Sequence, residues 1–463
     1  MPEVKIDNKI YIAEKGEILK DVLIKAEKTV PHICGGMGAC KKCLVSVDGK
    51  KELSCQYKII NDISVEISEA ESITSETGIK EKGNLTENLC FCLDIGTTTL
   101  ALALVSLDEK KIIEVKTATN PQRSFGADVM SRITYCQKNG VKELQEALIK
   151  EINKILASFE IKETENLFVA GNTTMLHLFF GVDCSSLGVA PYTPVFLNSR
   201  VENADDLKIK GVKKIISLPS ISAFVGADLV AGLNFAGKPE KEKYNLLLDL
   251  GTNAEIVLFS ENSVYCTSAA AGPCFEGANI SAGMSAVSGA IYSYSDNSIK
   301  VIGNTLPKGI CGTGLIDIIA SLLENKTIDE TGFMEAEEIE IANGVFIEQN
   351  DIRQYQLAKS AVYSGIVALL KEKNIEIESI EKFYVSGGFS SKINIENAVK
   401  TGLFPKELKE KCVAINNSSL LGTVKYACEK NNLSGYLENS EYIDLSQSEA
   451  FSNEFLKNMN FIW

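Results

Sequence analysis

The chain carries Asp94-Ile95-Gly96-Thr97-Thr98-Thr99 between two apolar runs, residues 89–93 and 100–107, and this stretch decides the fold. Apolar runs on both sides of a short polar turn predict a strand-turn-strand hairpin. In such a turn, glycine permits the close approach of an anion, while backbone amides and threonine hydroxyls can hold phosphate oxygens. The aspartate stands where it can bind Mg²⁺ through water. The stretch therefore predicts a phosphate-binding hairpin.

The same pattern recurs 155 residues later as Asp249-Leu250-Gly251-Thr252-Asn253-Ala254-Glu255, again between apolar runs. One copy alone fits an ordinary turn, whereas two copies favour a repeated functional element. Two further strands each end in a glycine turn, Ala170-Gly171-Asn172 and Ser386-Gly387-Gly388. Each half of the chain thus has an acidic hairpin and, later, a strand that runs into glycine. No GxxxxGK[ST] run is present, so the core is not a P-loop enzyme.

This duplicated order resembles the actin/Hsp70/sugar-kinase superfamily, in which two ribonuclease H-like α/β halves close on a nucleotide. The resemblance implies ATP and Mg²⁺ between the two hairpins, with a glycine turn beside the adenosine. Asp249 and Glu255 would orient the hydrolytic water, although a plain strand-face charge fits Glu255 equally well. The implied nucleotide contacts are Asp94, Gly96, Thr97, Thr98, Thr99, Gly251, Thr252, Asn253, Gly312, Gly314, Gly387 and Gly388. For Gly312 and Gly314, a simple role at the start of a helix is the alternative.

The N-terminal region holds Cys34, Cys40 and Cys43 on one glycine-bearing stretch, and Cys55 follows after eleven further residues. Before them, two short strands and a helical run over residues 19–26 are typical of a β-grasp ferredoxin domain. Four thiolates saturate two tetrahedral irons, and glycines let backbone N–H groups approach the sulfurs. The spacing predicts a [2Fe-2S] cluster. A zinc site and no metal at all are the alternatives, but zinc sites usually pair two CxxC knuckles, and only one is present.

Charge and composition exclude several classes of function. With 61 acidic and 47 basic residues the formal charge is −14, which repels nucleic acid and anionic lipid. No stretch approaches the roughly 20 apolar residues that span a bilayer, and no signal-peptide core is present, so we expect a cytoplasmic protein without nucleic-acid or membrane partners. The two histidines, His32 and His177, argue against a Ser-His-Asp triad. His32 precedes the first cysteine ligand and either hydrogen-bonds toward the cluster or faces solvent.

The thirteen cysteines of the chain do not predict disulfides in a reducing compartment. Nine of them lie outside the first domain, and apolar or helical surroundings indicate that most are inert buried thiols. Cys274 and Cys311 lie in glycine-bearing loops instead. They resemble positions at which a related dehydratase activator could place a bridging cluster, although an inert role is the stronger expectation.

Further segments resemble one branch of the superfamily, the reductive activators of corrinoid proteins. They are Asn-Pro-Gln-Arg-Ser-Phe-Gly-Ala-Asp at 120–128, Ala-Gly-Pro-Cys-Phe-Glu-Gly at 271–277, Gly-Ile-Cys-Gly-Thr-Gly at 309–314 and Ala-Lys-Ser-Ala at 358–361. The resemblance implies an ATP-dependent iron–sulfur reductase that passes one electron from the [2Fe-2S] cluster to Co(II) and regenerates Co(I) with ATP hydrolysis. The implied partners are a corrinoid methyl-carrier protein and a low-potential electron donor, and a homodimer is left open.

The predicted architecture is an α+β ferredoxin-type domain followed by a duplicated α/β actin-like ATPase. The domain boundaries are 1–78 for the ferredoxin-type domain, 79–89 for a short linker, 90–245 and 246–430 for the two halves of the core, and 431–463 for a C-terminal tail packed on it. One departure from the family stands out. Larger corrinoid activators have a long linker and a middle domain, which we expect to be absent here. A short linker predicts one fixed pose of the cluster domain.

Two other functions fit the same features. A phosphotransferase could use a cluster domain to sense redox state, although no sugar- or acetate-specific pocket is recognisable. A zinc-stabilised adaptor could use the core as an ATP-gated clamp, and such a protein would be colourless.

Overall fold

The structure is a computed structural model that describes residues 1–6, 9–26, 28, 30, 43–67, 83–126, 128–295, 298–387 and 392–461. Three predicted site residues, Cys34, Cys40 and Gly388, lie outside these ranges, as does His32. The described chain forms an N-terminal domain and two α/β halves. None of the described helices has both the length and the apolar character that crossing a membrane would need.

The N-terminal domain is a five-stranded sheet with one helix packed on it. Its elements are β1 (Glu3–Ile6), β2 (Lys9–Ile12), α1 (Leu19–Lys25), β3 (Leu44–Val47), β4 (Lys50–Leu53) and β5 (Ile63–Glu66). The strand order is β2-β1-β5-β3-β4, with β1 and β5 parallel. Val4 and Ile6 of β1 alternate with exposed residues and pack with Leu19, Val22 and Leu23 of α1. The prediction of two strands followed by a helix is confirmed.

The first half of the core is a six-stranded sheet in the order β10-β11-β9-β6-β7-β8. Its elements are β6 (Leu89–Ile95), β7 (Thr99–Ser106), β8 (Lys111–Thr119), α2 (Val129–Asn139), α3 (Lys142–Ser158), β9 (Thr164–Gly171), α4 (Thr173–Phe179), β10 (Val201–Asn203), β11 (Val212–Ser217) and α5 (Ala227–Ala236). The central strand β6 is buried along almost its whole length. An apolar run without alternation is the pattern of a strand covered on both faces.

The second half has a six-stranded sheet in the order β21-β20-β12-β13-β14-β22. Its elements are β12 (Tyr244–Leu250), β13 (Ala254–Phe259), β14 (Val264–Ala269), β15 (Ala290–Ser295), β16 (Ser298–Val301), β17 (Gly309–Ile310), α6 (Gly312–Glu324), β18 (Glu338–Ala342), β19 (Val345–Glu348), α7 (Gln349–Glu372), β20 (Ile380–Ser386), α8 (Ile395–Lys400), β21 (Cys412–Ala414), α9 (Ser418–Glu429), α10 (Ser434–Glu438), β22 (Ser440–Tyr442) and α11 (Glu449–Lys457). Strands β15, β16 and β17 form a small separate sheet, and β18 and β19 form a hairpin.

The two halves repeat one topology, as the duplicated motifs predicted. In the first half β6 pairs antiparallel with β7 and parallel with β9, and in the second half β12 pairs in the same way with β13 and β20. The glycine turns occupy equivalent places. A Cβ atom on Gly171 would lie 2.8 Å from Ile95 O, and one on Gly387 would lie 2.3 Å from Leu250 O. Each glycine therefore lets its turn lie directly against a phosphate hairpin.

One helix from each half packs on the sheet of the other half. Helix α5 packs on the sheet of the second half, where Leu229 joins its apolar cluster, and α9 packs on the first sheet through Leu420. Where they cross, a Cβ atom on Gly422 would lie only 1.7 Å from Ala231 O. The side chain of Asn234 donates to Gly422 O at 3.0 Å beside this crossing. The contact is thus between backbones, and only glycine permits it.

The last residues of the chain pack on the second half. Strand β22 extends the sheet beside β14, and α11 packs along α7. The Lys359 side chain is buried and donates from Nζ to Asn458 O and, at 2.7 Å, to Asn460 O. Phe461 is buried with its ring 4.9 Å from the Lys359 ammonium. Buried polar groups of α7 thus hold the C-terminal segment by its backbone.

The helix crossing generates a test of the inter-half contact. We expect Gly422→Ala to lower the free energy of unfolding by about 3 kcal/mol, because the added methyl group overpacks a backbone contact. Gly435→Ala is the matched control, since a Cβ atom on this glycine of α10 meets nothing within 4 Å. Chemical denaturation measures both. Equal stability of the two variants would contradict the close crossing.

Candidate functional site

The first hairpin, between β6 and β7, forms a cradle with free backbone donors. Gly96 N donates to Thr99 O at 3.0 Å, and a Cβ atom on Gly96 would lie 2.6 Å from the same oxygen. Within the described part of the chain, the N–H groups of Thr97 and Thr98 have no hydrogen-bond acceptor. The Thr97 hydroxyl accepts from Asn172 Nδ2 at 3.1 Å, so its proton remains available for a ligand. These donors suit phosphate oxygens.

The carbonyl groups of this hairpin are held by the segment that follows β8. Asn120 donates from Nδ2 to Gly96 O at 2.8 Å and from its backbone N to Thr98 O at 2.9 Å. Arg132 Nη2 donates to Thr97 O at 2.5 Å. With three successive carbonyls engaged on one side, the amide and hydroxyl groups are left for an anion. The motif around Asn120 therefore serves the hairpin, a role that its sequence alone did not indicate.

Asp94 lies at the end of β6, where it connects the two halves. Its side chain is 9% exposed, and its carboxylate accepts from Asn417 Nδ2 at 2.6 Å and from Ser419 Oγ at 2.7 Å. Both donors belong to the start of α9. Burial raises the pKa of Asp94, while the two hydrogen bonds oppose this shift. The sequence predicted Asp94 as a site residue but not its partners, which follow more than 300 residues later.

The second hairpin places two predicted residues, Asp249 and Glu255, directly opposite each other. They are cross-strand partners on β12 and β13, so their side chains share one face, and both are half-buried. Gly251 N donates to Asn253 O at 3.0 Å, which closes the turn as Gly96 does in the first half. Thr252 Oγ1 donates to Glu276 Oε2 at 2.7 Å. Glu276, from the Gly-rich loop after β14, thereby joins the site.

Asp228 is an acidic site residue that sequence analysis missed. It lies in the first turn of α5, just after Gly226, and its electrostatic neighbours are Asp249 and Asp94. Burial, followed by the charges of those two carboxylates, raises the pKa of Asp228 to about 7. Burial, followed by Asp94 and Glu276, raises the pKa of Asp249 to about 7 as well. The sequence signal that could have identified Asp228 is its position as the single charged residue in the first turn of an otherwise largely apolar helix.

The carboxylates of the cleft repel one another and favour a bound cation. Burial and the charges of Asp249, Asp228 and Glu276 raise the pKa of Glu255 well above its ordinary value. Yet among the described residues no three ligating side chains converge closely enough to hold a metal ion by themselves. Mg²⁺ normally keeps several waters and binds through one or two carboxylates plus substrate phosphates. The cleft therefore fits Mg²⁺ that arrives with a nucleotide.

Three further glycines that were predicted to contact the nucleotide lie in two different places. Gly387 abuts Leu250 O beside the second hairpin, as a turn bordering a nucleotide requires. Gly312 and Gly314 open α6, where Cβ atoms would lie 2.3 Å from Phe275 O and 2.2 Å from Ile291 O. Their close packing accounts for glycine at both positions. Contact of these two residues with a nucleotide stays a prediction.

Two of the four predicted cluster ligands, Cys43 and Cys55, are described, and the fold brings them together. Their Sγ atoms are 3.2 Å apart, and both side chains are buried. Burial raises the pKa of the Cys43 thiol. Gln56 Nε2 donates to Cys55 Sγ at 3.8 Å, the kind of N–H group that tunes a cluster. Two adjacent buried thiols with a nearby donor fit one edge of an iron–sulfur cluster.

Cys274 and Cys311, the two cysteines of glycine-bearing loops in the second half, are both buried. Cys274 lies in the apolar cluster of the second half. Cys311 Sγ donates to Ile291 O at 3.4 Å, and burial raises the pKa of both thiols. An inert role for both thiols stays a prediction.

The fold and the two sites define a class of protein, an actin-like ATPase preceded by a ferredoxin-type iron–sulfur domain. Three family descriptions match consecutive parts of the chain: a 2Fe-2S iron-sulfur cluster binding domain over residues 2–69, the RACo middle region over 89–238, and the C-terminal ASKHA domain of RACo over 243–463. The chain belongs to the RACo family.

Two relatives and one solved structure agree with this assignment. The corrinoid activation enzyme RamQ of Eubacterium limosum is 29% identical over 413 residues, which cover 80% of this chain and 69% of the relative. The [Co(II) methylated amine-specific corrinoid protein] reductase of Methanosarcina barkeri is 27% identical over 417 residues, covering 80% and 76%. The structure of a reductive activator for corrinoid, iron-sulfur protein is 24% identical, with a TM-score of 0.72 and coverage of 100% and 98%. At 24% identity, the match with this structure shows that the two chains share a fold.

The expectation that the middle domain is absent was wrong. The RACo middle region matches residues 89–238, the part that the motifs assigned to the first half of the core. Residues 89–238 contain a hairpin motif and a glycine turn like those of the second half. The motifs therefore predicted that these residues form half of a duplicated core. The connection to the ferredoxin-type domain is nonetheless brief. Gly83 N already donates to Ile112 O at 2.9 Å, next to the β7–β8 turn.

The paired thiols generate a test of the cluster site. We expect Cys43→Ser and Cys55→Ser to abolish the visible absorbance and most of the iron and acid-labile sulfide of anaerobically purified protein, because each removes one of four ligands. Cys412→Ser is the matched control, since Cys412 is a half-buried thiol on β21. A colourless wild-type protein containing zinc would support the zinc alternative instead.

The raised pKa values of Asp228 and Asp249 predict how nucleotide binding depends on pH. Both carboxyl groups titrate at about 7, so they are largely protonated below that pH and ionised above it. Only the ionised form binds a cation. The affinity for Mg²⁺–ATP should therefore increase as the pH rises from 6 to 8, and binding at pH 7 should release about one proton.

Isothermal titration calorimetry in buffers of different ionisation enthalpy measures this release. Asp228→Asn should reduce it, whereas Asp205→Asn, at an exposed position of the same half, should not. Binding that neither releases protons nor changes with pH would contradict the raised pKa values.

Proposed function

We propose that this protein reduces the Co(II) centre of a corrinoid protein to Co(I) in a reaction coupled to ATP hydrolysis. The observation that carries the proposal is the combination, in one chain, of a buried cysteine pair and a two-hairpin phosphate cleft. The two relatives are named as a corrinoid activation enzyme and as a reductase of a Co(II) corrinoid protein. Their names supply the substrate class, and the residues of this chain supply the chemistry.

The nucleotide cleft is suited to hydrolysis. Thr97 and Thr98 on one side and Thr252 on the other would hold the phosphates, while Asp94 and Asp249 bind Mg²⁺ through its waters. Closure of the halves is favoured by Asp94, because its donors come from α9 of the other half. A nucleotide between the hairpins would therefore strengthen a contact that already exists.

The hydrolytic water is best oriented by Asp228 and Asp249. A general base works best with a pKa near the operating pH, and these two carboxyl groups have pKa values of about 7. Glu255, the other residue predicted from sequence, has its pKa raised well above its ordinary value. Glu255 faces Asp249 across the second hairpin and would assist it in orienting this water.

The cluster site in the N-terminal domain would be formed by Cys34, Cys40, Cys43 and Cys55. When bound there, a [2Fe-2S] cluster supplies one electron at low potential, and plant-type centres lie near about −400 mV. For one electron, a shortfall of about 59 mV costs about 1.4 kcal/mol. ATP hydrolysis can offset such a shortfall if it is tied to formation and release of the complex with the corrinoid protein. A low-potential donor would then recharge the protein.

The separation of the two sites is bounded by the chain between them. Ile67 ends the described part of the ferredoxin-type domain, and Gly83 is already anchored on the first half. The intervening stretch spans at most about 55 Å when fully extended. The connection therefore limits how far the ferredoxin-type domain can move from the first half, and a complex with the corrinoid protein would engage both parts of the chain.

The proposal predicts that ATP controls the yield of Co(I). With a chemical reductant and a Co(II) corrinoid protein under anaerobic conditions, we expect ATP to raise Co(I) formation, followed by its visible spectrum, and the corrinoid protein to stimulate ATP hydrolysis. Asp249→Asn should reduce both by about 100-fold or more, because it removes a carboxylate from the centre of the cleft.

Controls separate this function from phosphoryl transfer. Cys43→Ser should abolish Co(I) formation but retain basal ATP hydrolysis. Labelled ATP should release inorganic phosphate and leave no label on either protein. A Co(I) yield that does not respond to ATP would exclude the coupling, and a labelled acceptor would favour a phosphotransferase.

A further inference from the structure

The first half contributes two arginines to the cleft that the chemistry above does not use. Arg132 is completely buried, and Arg123 is half-buried. Burying a charge costs several kcal/mol unless the charge is paired. Among the ion pairs of the described residues, none includes either guanidinium group. One buried and one half-buried guanidinium group, neither in an ion pair among the described residues, thus lie near the first hairpin.

Arg132 is fixed by neutral acceptors. Its Nη2 donates to Thr97 O at 2.5 Å, its Nε to Gly126 O at 2.9 Å, and its Nη1 to Gln122 Oε1 at 3.3 Å. Burial, followed by the charge of Arg123, lowers the pKa of Arg132 to about 9. All three nitrogens of the guanidinium group thus donate to neutral groups, including Met175 Sδ at 3.0 Å from Nη1. Arg132 positions the hairpin and adds positive charge behind it.

Arg123 has no such partners. In the described structure its guanidinium makes no hydrogen bond, while its backbone N donates to Asn120 O at 3.2 Å and so fixes its place beside the hairpin brace. The charge of Arg123 acts on Arg132, and the carboxylate of Glu276 acts on both. Arg132 contacts the first hairpin and Glu276 accepts from Thr252 of the second, so the charge of Arg123 acts on a group bound to each hairpin.

We propose that Arg123 binds the terminal phosphate of ATP, and that Arg132 is a positioning residue for the hairpin that holds the phosphates. The proposal rests on ATP as the nucleotide of the cleft, as argued under the proposed function. A guanidinium group presents parallel N–H donors that match two oxygens of one phosphate. ADP lacks that group, so Arg123 would make the cleft respond to ATP and ADP differently.

The competing explanation is a purely structural link between Arg123 and Glu276. Such a link would stabilise the contact between the two hairpins whatever nucleotide is bound. It therefore predicts equal effects on ATP and ADP, whereas a contact with the terminal phosphate predicts an effect on ATP alone. The comparison of the two nucleotides separates the explanations.

The test compares Mg²⁺–ATP and Mg²⁺–ADP binding to the full chain by calorimetry. For Arg123→Gln we expect ATP affinity to fall about 10- to 100-fold, the usual loss for a charge-assisted contact, with ADP affinity changed less than about 3-fold. Arg123→Lys, which keeps the charge but not the planar fork, should recover part of the loss. An equal loss for both nucleotides, or no loss for ATP, would overturn the proposal.

A matched control is available in the same half. Arg200 is also half-buried, but it forms an ion pair with Glu202 at 2.6 Å and lies over the ring of Phe196. Arg200→Gln should leave both affinities unchanged, and thermal unfolding should verify that each variant is folded. A wild-type chain that binds neither nucleotide would refute the proposed function itself. By contrast, if the wild-type chain binds ATP and the Arg123→Gln variant binds it equally well, only the role of Arg123 is refuted.

Discussion

Asp94 is nearly inaccessible to solvent, and its carboxylate accepts hydrogen bonds from Asn417 and Ser419, which open a helix of the other half. Asp94 thus lies near the end of the central strand of the first sheet and binds the start of α9 from the second half. Because an ionised group in this position is costly without its donors, the relative placement of the halves and the charge state of the cleft are coupled. The close crossing of α5 and α9 at Gly422 holds the start of α9, and with it these two donors, in position.

The cleft balances two opposed sets of charges. The charges of Asp94, Asp228, Asp249 and Glu276 add to burial in raising the pKa values of Asp228, Asp249 and Glu255, and two arginines near the first hairpin form no ion pair among the described residues. Neither set is neutralised by the protein. A magnesium nucleotide carries both a cation and anionic oxygens, so it is the kind of ligand that satisfies both sets at once. The two sets of charges therefore favour a magnesium nucleotide over a bare anion.

The ferredoxin-type domain meets different physical demands. Cys43 directly precedes β3 and Cys55 lies in the turn after β4, and the small sheet brings their sulfurs to 3.2 Å in an apolar setting. An apolar setting disfavours free thiolates and thus favours thiolates that are neutralised by iron. The short connection to the core, anchored at Gly83 on the first half, limits how far this domain can move away from it.

The sequence by itself determined the strands, the two phosphate hairpins, the glycine turns and the cysteine spacing, because each depends on residues that are close in the chain. Only the tertiary structure decided which distant groups complete the site: Asp228, Glu276, Asn417, Ser419, Asn120 and Arg132 belong to segments whose motifs carry no local signal of phosphate chemistry. It also assigned Gly312 and Gly314 to close packing. Whether residues 89–238 are a middle region or half of an ATPase could not be read from motifs, since duplication gives both the same hairpin. Local patterns fix local geometry, whereas burial, charge coupling and closure arise between segments far apart in sequence.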